Sequence, residues 1–261
     1  MNGHKKPQVY TFIVGGTIGA GKTELIKQLT RVFADKQAFP RLRFFSVIEP
    51  VEVWEKSHLL ELFIDDPQEL GAMFQLTTFS TRLAAWLHLY KTQIKPLLSD
   101  DSVDFILVAL ERSHYCDKHM FASMLLEDPK IPAEEREAYR ILFDTFKNKA
   151  PPTPISSMVW VNTAFGETLS RKNIRQRPCE DNYDNSYLKK LWMRHEKLLG
   201  SGHYELTENT KVPVLKFDGD SKFNTDTTLV LALAHQLVSV AKNTGEITGL
   251  KYQDKTTSCP N

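Results

Sequence analysis

The chain has 261 residues, 41% of them hydrophobic and 25% charged, with a formal net charge of +1. That is enough sequence for a sizeable core, and too balanced a charge for a nucleic-acid tract or an anionic membrane surface to be the partner. No apolar run approaches the ~18 residues of a membrane span, and Cys116, Cys179 and Cys259 are odd in number and lack metal spacing, which points to a reducing compartment rather than a disulfide scaffold.

The first predicted element is a buried strand, VYTFIV, at residues 9–14. It runs into GGTIGAGKT, residues 15–23, where Gly16, Gly21, Lys22 and Thr23 satisfy G-x-x-x-x-G-K-[ST]. In that pattern the backbone N–H groups of a glycine-rich turn, here including Thr17, Ile18, Gly19 and Ala20, face the phosphates of a nucleotide. Lys22 would bridge the outer phosphates and the Thr23 hydroxyl would hold Mg²⁺. Leu25, Ile26, Leu29, Val32 and Phe33 follow at helical spacing, so the loop has the strand before it and the helix after it that the motif needs.

Further along, RFFSVI (43–48), VDFILVAL (103–110), SMVWVNT (157–163) and VPVLKF (212–217) are short apolar runs separated by helical patterns. Near-continuous apolarity suits strands buried on both faces, so the expected fold is α/β, a P-loop NTPase-like three-layer arrangement with a five-stranded parallel sheet. Predicted helices cover about 67–94, ended by Pro96, about 132–147, and about 227–241; the polar sequence after that reads as loop or tail. One domain is expected, residues 1–245, with a tail at 246–261.

In open parallel sheets ligands bind beyond the carboxyl ends of the strands. Glu49 follows the second strand there, and Glu111, Arg112 and Ser113 follow the third. The fourth leads into SRKNIRQR, with Arg171, Lys172, Arg175 and Arg177. A phosphate loop, two carboxylates and a cationic helix are what phosphoryl transfer uses: a base for the acceptor oxygen, a carboxylate near the metal, and cations around the transferred charge.

In chain order GTIGAGKT, EPVEVW, DDPQELGAMFQLTTFSTR, ERSHYCDKHMFAS, RQR and YLKKLWMRHEKLL resemble the deoxyribonucleoside kinases of the deoxycytidine, deoxyguanosine and deoxyadenosine kinase type. The resemblance covers about residues 9–240. It implies ATP as phosphate donor, Mg²⁺, and a deoxynucleoside acceptor phosphorylated at the 5′-hydroxyl in nucleotide salvage. Under it Glu49 is the base, Arg112 orients Glu49, Lys22 completes the catalytic set, Glu111 is the metal-side carboxylate, and Arg175 and Arg177 belong to a lid at about 164–186. Cys179 stands where the family has a third lid cation.

The same resemblance puts Trp54, Leu60, Phe74, Gln75, Arg82, Asp117 and Phe121 on the substrate side. Gln75 and Arg82 are seven apart and so share a helix face, and a glutamine amide offers a donor and an acceptor to a base edge. The Arg82 and Asp117 pair implies cytosine or purine acceptors, deoxyadenosine first and deoxycytidine next, with thymidine poor. The family's tyrosine for the sugar 3′-hydroxyl falls at Ile64, so looser discrimination at that position is expected; its acidic partner is Glu180 or Asp181. FDGDSKF (217–223) resembles the loop that contacts the donor base.

The expected partners are therefore small molecules, with neither nucleic acid nor membrane, in a homodimer or higher homo-oligomer. A leader of MNGHKKPQ is too short for a secretory signal, so the expected location is cytoplasmic. Two rival readings remain. A thymidylate-kinase-type monophosphate kinase would want extra cations near Glu49, where IEPVEVWEKSHLLELFIDD supplies mainly acids; a non-catalytic nucleotide sensor would have lost a carboxylate that is present here.

Overall fold

The computed structural model describes residues 6–128, 131–177, 180 and 182–248. Strand β1 (Gln8–Gly15) feeds the glycine turn and helix α1 (Lys22–Phe33), followed by β2 (Leu42–Val47), α2 (Val51–Lys56), α3 (Leu59–Asp65) and α4 (Pro67–Leu89). Then come β3 (Phe105–Glu111), an irregular helical stretch over residues 114–126, α5 (Ala133–Phe146), β4 (Ile155–Asn162), α6 (Phe165–Arg175) and α7 (Asn185–Leu199). Strands β5 (His203–Thr207) and β6 (Thr210–Asp218) and helix α8 (Thr228–Thr248) complete the described chain.

The sheet order is β2-β3-β1-β4-β6-β5. All pairings are parallel except β5 with β6. The sheet is thus six-stranded and mixed, which corrects the expected five parallel strands. The missed strand, HYELT, alternates exposed and buried residues on the edge of the sheet, so it lacks the continuous apolar run that marks the buried strands.

Alternation along β1 sends Phe12 and Val14 to one face and Ile13 to the other. The first face packs against α1 and α8 through Leu25, Leu29, Phe33, Val230, Leu233 and Leu237. Opposite, Trp86 and Leu89 of α4 cover Ile106 and Val108, while Leu191 and Leu199 of α7 cover Met158 and Trp160. Helices therefore lie on both faces of the sheet. No helix among the described residues is long and apolar enough to cross a membrane.

Helix α4 starts where DDPQEL predicts: the Asp66 carboxylate accepts from the backbone N–H groups of Gln68 and Glu69 at 3.1 and 3.0 Å, with Pro67 at the first position. Its far end differs from expectation. The helix passes through a π turn, Tyr90–Ile94, and a last turn, Lys95–Leu97, so Pro96 sits inside the final turn rather than beyond it. Proline has no N–H to return to the preceding turn, and the wider π winding lies just ahead of it. Helix α8 likewise continues past the expected end at 241 as far as Thr248. Residues 249–261 of the expected tail lie outside the described residues.

Candidate active site

Three strand ends and one loop set the site's geometry. In the register of β1 and β3, Val14 pairs with Glu111, and the Arg112 N–H donates to the Val14 carbonyl at 3.1 Å, which holds the ends of these strands side by side. Glu49 follows β2 by two residues. Backbone direction changes abruptly after β3: Arg112 has φ of 62°, a left-handed conformation that costs a non-glycine residue about 1–3 kcal/mol. That turn carries its guanidinium back over the sheet edge to Glu49.

The glycine turn is built for close backbone approach. Gly16 and Gly19 have φ of 146° and 80°, and a Cβ would lie 2.8 Å from the Val161 carbonyl oxygen at Gly16 and 2.3 Å from that of Thr168 at Gly19. Lys22 is buried and donates to the Thr17 carbonyl at 2.9 Å. Burial, followed by the nearby Arg112 cation, lowers its pKa to about 7. Thr163, just past β4, donates to the Ala20 carbonyl at 2.9 Å and ties the loop to the sheet.

Behind the loop the Thr23 hydroxyl donates to Glu111 Oε1 at 2.8 Å, and Glu111 Oε2 is buried without a partner. A hydroxyl and a carboxylate with spare lone pairs form an oxygen donor set of the kind Mg²⁺ takes, so these residues fit that ion. Among the described residues there is no larger cluster of His, Cys, Asp and Glu able to hold a metal.

Glu49 is held from two sides. Arg112 Nη1 donates to Oε1 and Oε2 at 2.8 and 3.0 Å, and Arg82 Nη2 donates to Oε1. Burial opposes ionisation of this carboxyl, but the guanidiniums of Arg112 and Arg82 outweigh it and keep its pKa well below the usual range. Arg82 Nη1 also donates to Asp117, whose second oxygen has no partner. The two cations lie over aromatic rings, Arg82 over Trp54 at 4.9 Å and Arg112 over Phe121 at 4.6 Å.

These groups line one cavity of about 480 Å³. Ile18, Gly19, Gly21, Lys22 and Thr23 form the phosphate end, with Glu49, Glu111 and Arg112 at its centre. Trp54, Leu60, Phe74, Gln75, Arg82, Asp117 and Phe121 close the far end, where Phe74 stacks on Phe63 at 4.5 Å. Gly16, Thr17 and Ala20 shape the turn from behind.

Arg175 ends α6, and Arg177 follows Gln176, whose left-handed φ of 49° ends that helix. Both reach the cavity, and both are bound to the buried Glu180, Arg177 Nη1 at 2.9 Å; Arg177 also pairs with Glu55 at 2.7 Å. Lys172, predicted as part of a cationic run, is instead buried and donates to the Glu180 carbonyl at 3.1 Å. Asp181 and Cys179 lie outside the described residues. The segment 217–223 sits beside the phosphate turn: Asp220 accepts from the Ala164 N–H ahead of α6 at 3.0 Å, and a Cβ on Gly21 would meet the Phe223 ring.

Among the lining residues that escaped sequence reasoning are Thr78, Tyr183 and Tyr187. Thr78 lies between Gln75 and Arg82 on α4, a position that helical spacing from those two could have found. Tyr183 and Tyr187 stack at 5.8 Å near the start of α7 and belong to no phosphate or carboxylate motif.

A phosphate turn at the carboxyl edge of the sheet, facing an arginine-held carboxylate across one cavity, defines a P-loop phosphotransferase. Its particular family follows from comparison. The sequence model of the deoxynucleoside kinase family matches residues 12–239, and the chain belongs to that family. It is similar to deoxycytidine kinase 2 of Gallus gallus, 26% identical over 82% of this chain and 83% of the relative, and to human deoxycytidine kinase, 24% identical over 80% and 84%. A putative kinase protein, 029R, of Invertebrate iridescent virus 3 is 30% identical over 52% of this chain and 57% of its own. The protein is an ATP-dependent kinase acting on a small-molecule nucleoside.

Proposed function

We propose that the protein transfers the γ-phosphoryl group of ATP to the 5′-hydroxyl of a purine or cytosine deoxynucleoside, in nucleotide salvage. The observation that carries this reading is that Lys22 and Glu49 line one cavity of about 480 Å³, which Trp54, Phe74, Phe121 and the Gln75 amide line as well. Glu49 accepts the 5′-hydroxyl proton. Because its pKa is depressed, that transfer comes late, as the bond to phosphorus forms, which suits a loose transition state. Arg112 holds the carboxylate in line and, with Lys22 and the lid residues Arg175 and Arg177, faces the charge on the transferred group. Thr23 and Glu111 would hold Mg²⁺, which when bound neutralises phosphate charge.

Base choice is read from unpaired acceptors. Gln75 Oε1 and Asp117 Oδ2 are buried without partners, Asp117 beside Arg82, so they favour a base edge carrying an amino group. Adenine, cytosine and guanine each have one; thymine offers a single N–H between two carbonyls and a methyl group besides. Deoxyadenosine and deoxycytidine are the leading acceptors, the second supported by the names of the relatives, with deoxyguanosine behind them and thymidine poor.

Residues 1–245 are read as one kinase domain with a lid at about 164–186, and a cytoplasmic location is read from the sequence. Exposed Met73 on α4 and Ile141, Leu142 and Phe146 on α5 support a homodimer. The test is radiolabel transfer from ATP with Mg²⁺ to the four deoxynucleosides and thymidine monophosphate. Turnover of the monophosphate alone would overturn the reading.

A further inference from the structure

Arg82 joins Glu49 to Asp117 through its two terminal nitrogens, Nη2 and Nη1. Its third donor position, Nε, is buried with no hydrogen-bond partner among the described residues. An unsatisfied N–H on a buried cation is costly, so a group that accepts from it is to be sought on the side of Arg82 turned away from the carboxylates.

A second, much smaller cavity lies there, between α4 and the ends of β2 and β3. Its volume is about 10 Å³, room for about one water. Val47, Ile48, Leu83 and Leu110 give it apolar walls, and Glu111 and Arg112 belong both to it and to the main cavity. Trp86 and His114 line it too and do not line the main cavity. Both are buried, and Trp86 Nε1 and His114 Nε2 are unpartnered like Arg82 Nε.

Arg82 and Trp86 are four apart on α4, so their side chains are neighbours on one helix face. The His114 ring is fixed against that face, stacked on Trp86 at 6.2 Å and edge-on to Phe79 at 6.1 Å. Burial, then the nearby His119, lowers its pKa to about 4, so the imidazole is neutral at pH 7 and one ring nitrogen keeps a lone pair. Two N–H donors and one nitrogen able to accept thus surround a space the size of a water, and three polar partners are what a buried water typically has.

We propose that an ordered water in this cavity accepts from Arg82 Nε and Trp86 Nε1 and donates to His114 Nε2, and that His114 is through it a positioning residue for Glu49. Arg82 is then held at three nitrogens, and Nη2 stays on the carboxylate when the acceptor enters. This deepens the reading of Glu49 as the base and rests on it.

Heteronuclear NMR on the isotope-labelled, unaltered protein reads whether the Trp86 indole proton cross-relaxes with a bound water and which nitrogen of His114 carries the proton. Trp86→Phe and His114→Gln assign the signals. A long-lived water at Trp86 and a proton on Nδ1 are expected; a dry cavity, or a proton on Nε2, would overturn the inference. Kinetics then compare His114→Leu, His114→Gln and Tyr139→Phe, the last removing a buried, unpartnered hydroxyl from the neighbouring aromatic cluster. His114→Leu should lower kcat about tenfold, the worth of one hydrogen bond, with the KM for ATP unchanged. His114→Gln keeps an acceptor and should restore most of that rate, and Tyr139→Phe should leave kcat in place. An unmoved kcat in His114→Leu, no rescue in His114→Gln, or an equal loss in Tyr139→Phe would each make His114 merely structural and overturn its positioning role. Absence of transfer to any deoxynucleoside would overturn the functional reading, and the water and the tautomer would still decide the inference.

Discussion

One nitrogen of Arg112, Nη1, donates to both carboxylate oxygens of Glu49, at 2.8 and 3.0 Å. The carboxylate is thereby fixed and kept ionised, so its contribution is position rather than basicity. Glu49→Gln should lower kcat by about 10²–10⁴ with ATP binding retained. The pH dependence has a definite sign: a base with a lowered pKa is in its working form above that pKa, so kcat/KM should show no acid limb from Glu49 between about pH 5 and 7. A limb near 6 traced to this carboxyl would count against the assignment.

Arg82 bridges two acids, Glu49 and Asp117, and Asp117 is only 1% exposed. Arg82→Met strands that buried charge and should destabilise the protein by about 3–5 kcal/mol, measured by urea unfolding. The double change Arg82→Met with Asp117→Ala removes both charges and should recover much of the loss. It also removes an acceptor and adds room, so the thymidine to deoxycytidine ratio in turnover should rise. No recovery in the double variant would mean the pair is not coupled as described.

Lys22 has a pKa of about 7 before the donor binds, chiefly from burial. A bound polyphosphate favours the ammonium form and raises that pKa. ATP affinity should therefore be full below pH 7 and weaken as pH rises above it, with proton uptake on binding at pH 8 and little at pH 6. Calorimetry in buffers of different ionisation enthalpy measures that uptake directly, and pH-independent binding would contradict it.

Thr23 and Glu111 share a 2.8 Å hydrogen bond in front of an unpartnered carboxylate oxygen. Chelation with EDTA should abolish transfer. Glu111→Gln should raise the Mg²⁺ concentration for half-maximal rate by about 10–100-fold, with nucleoside binding little changed. An unchanged Mg²⁺ requirement would move the metal elsewhere.

The phosphate turn was legible because its chemistry is local: glycines at fixed spacing, then Lys22 and Thr23, between a strand and a helix. Glu49, Glu111 and Arg112 were legible because a buried parallel strand announces its own end and the sheet gathers those ends at one edge. Edge strand β5 was not, being half exposed and short. Nor was the fate of the basic run: Lys172 is buried, and Arg175 and Arg177 are engaged by Glu180, contacts set by how the chain folds back after Gln176.

The sequence by itself determined the class of chemistry, since a phosphate loop and strand-end carboxylates are one-dimensional signals carried by residue type and spacing. Only the tertiary structure decided the partners: that Arg82 joins Glu49 to Asp117, that Glu111 meets Thr23 from 88 residues away, and that Tyr183 packs beside Ile64. Such pairings depend on which surfaces become adjacent once the helices pack on the sheet. Any one of these side chains, read along the chain, has many possible neighbours, and burial in a shared cavity selects one.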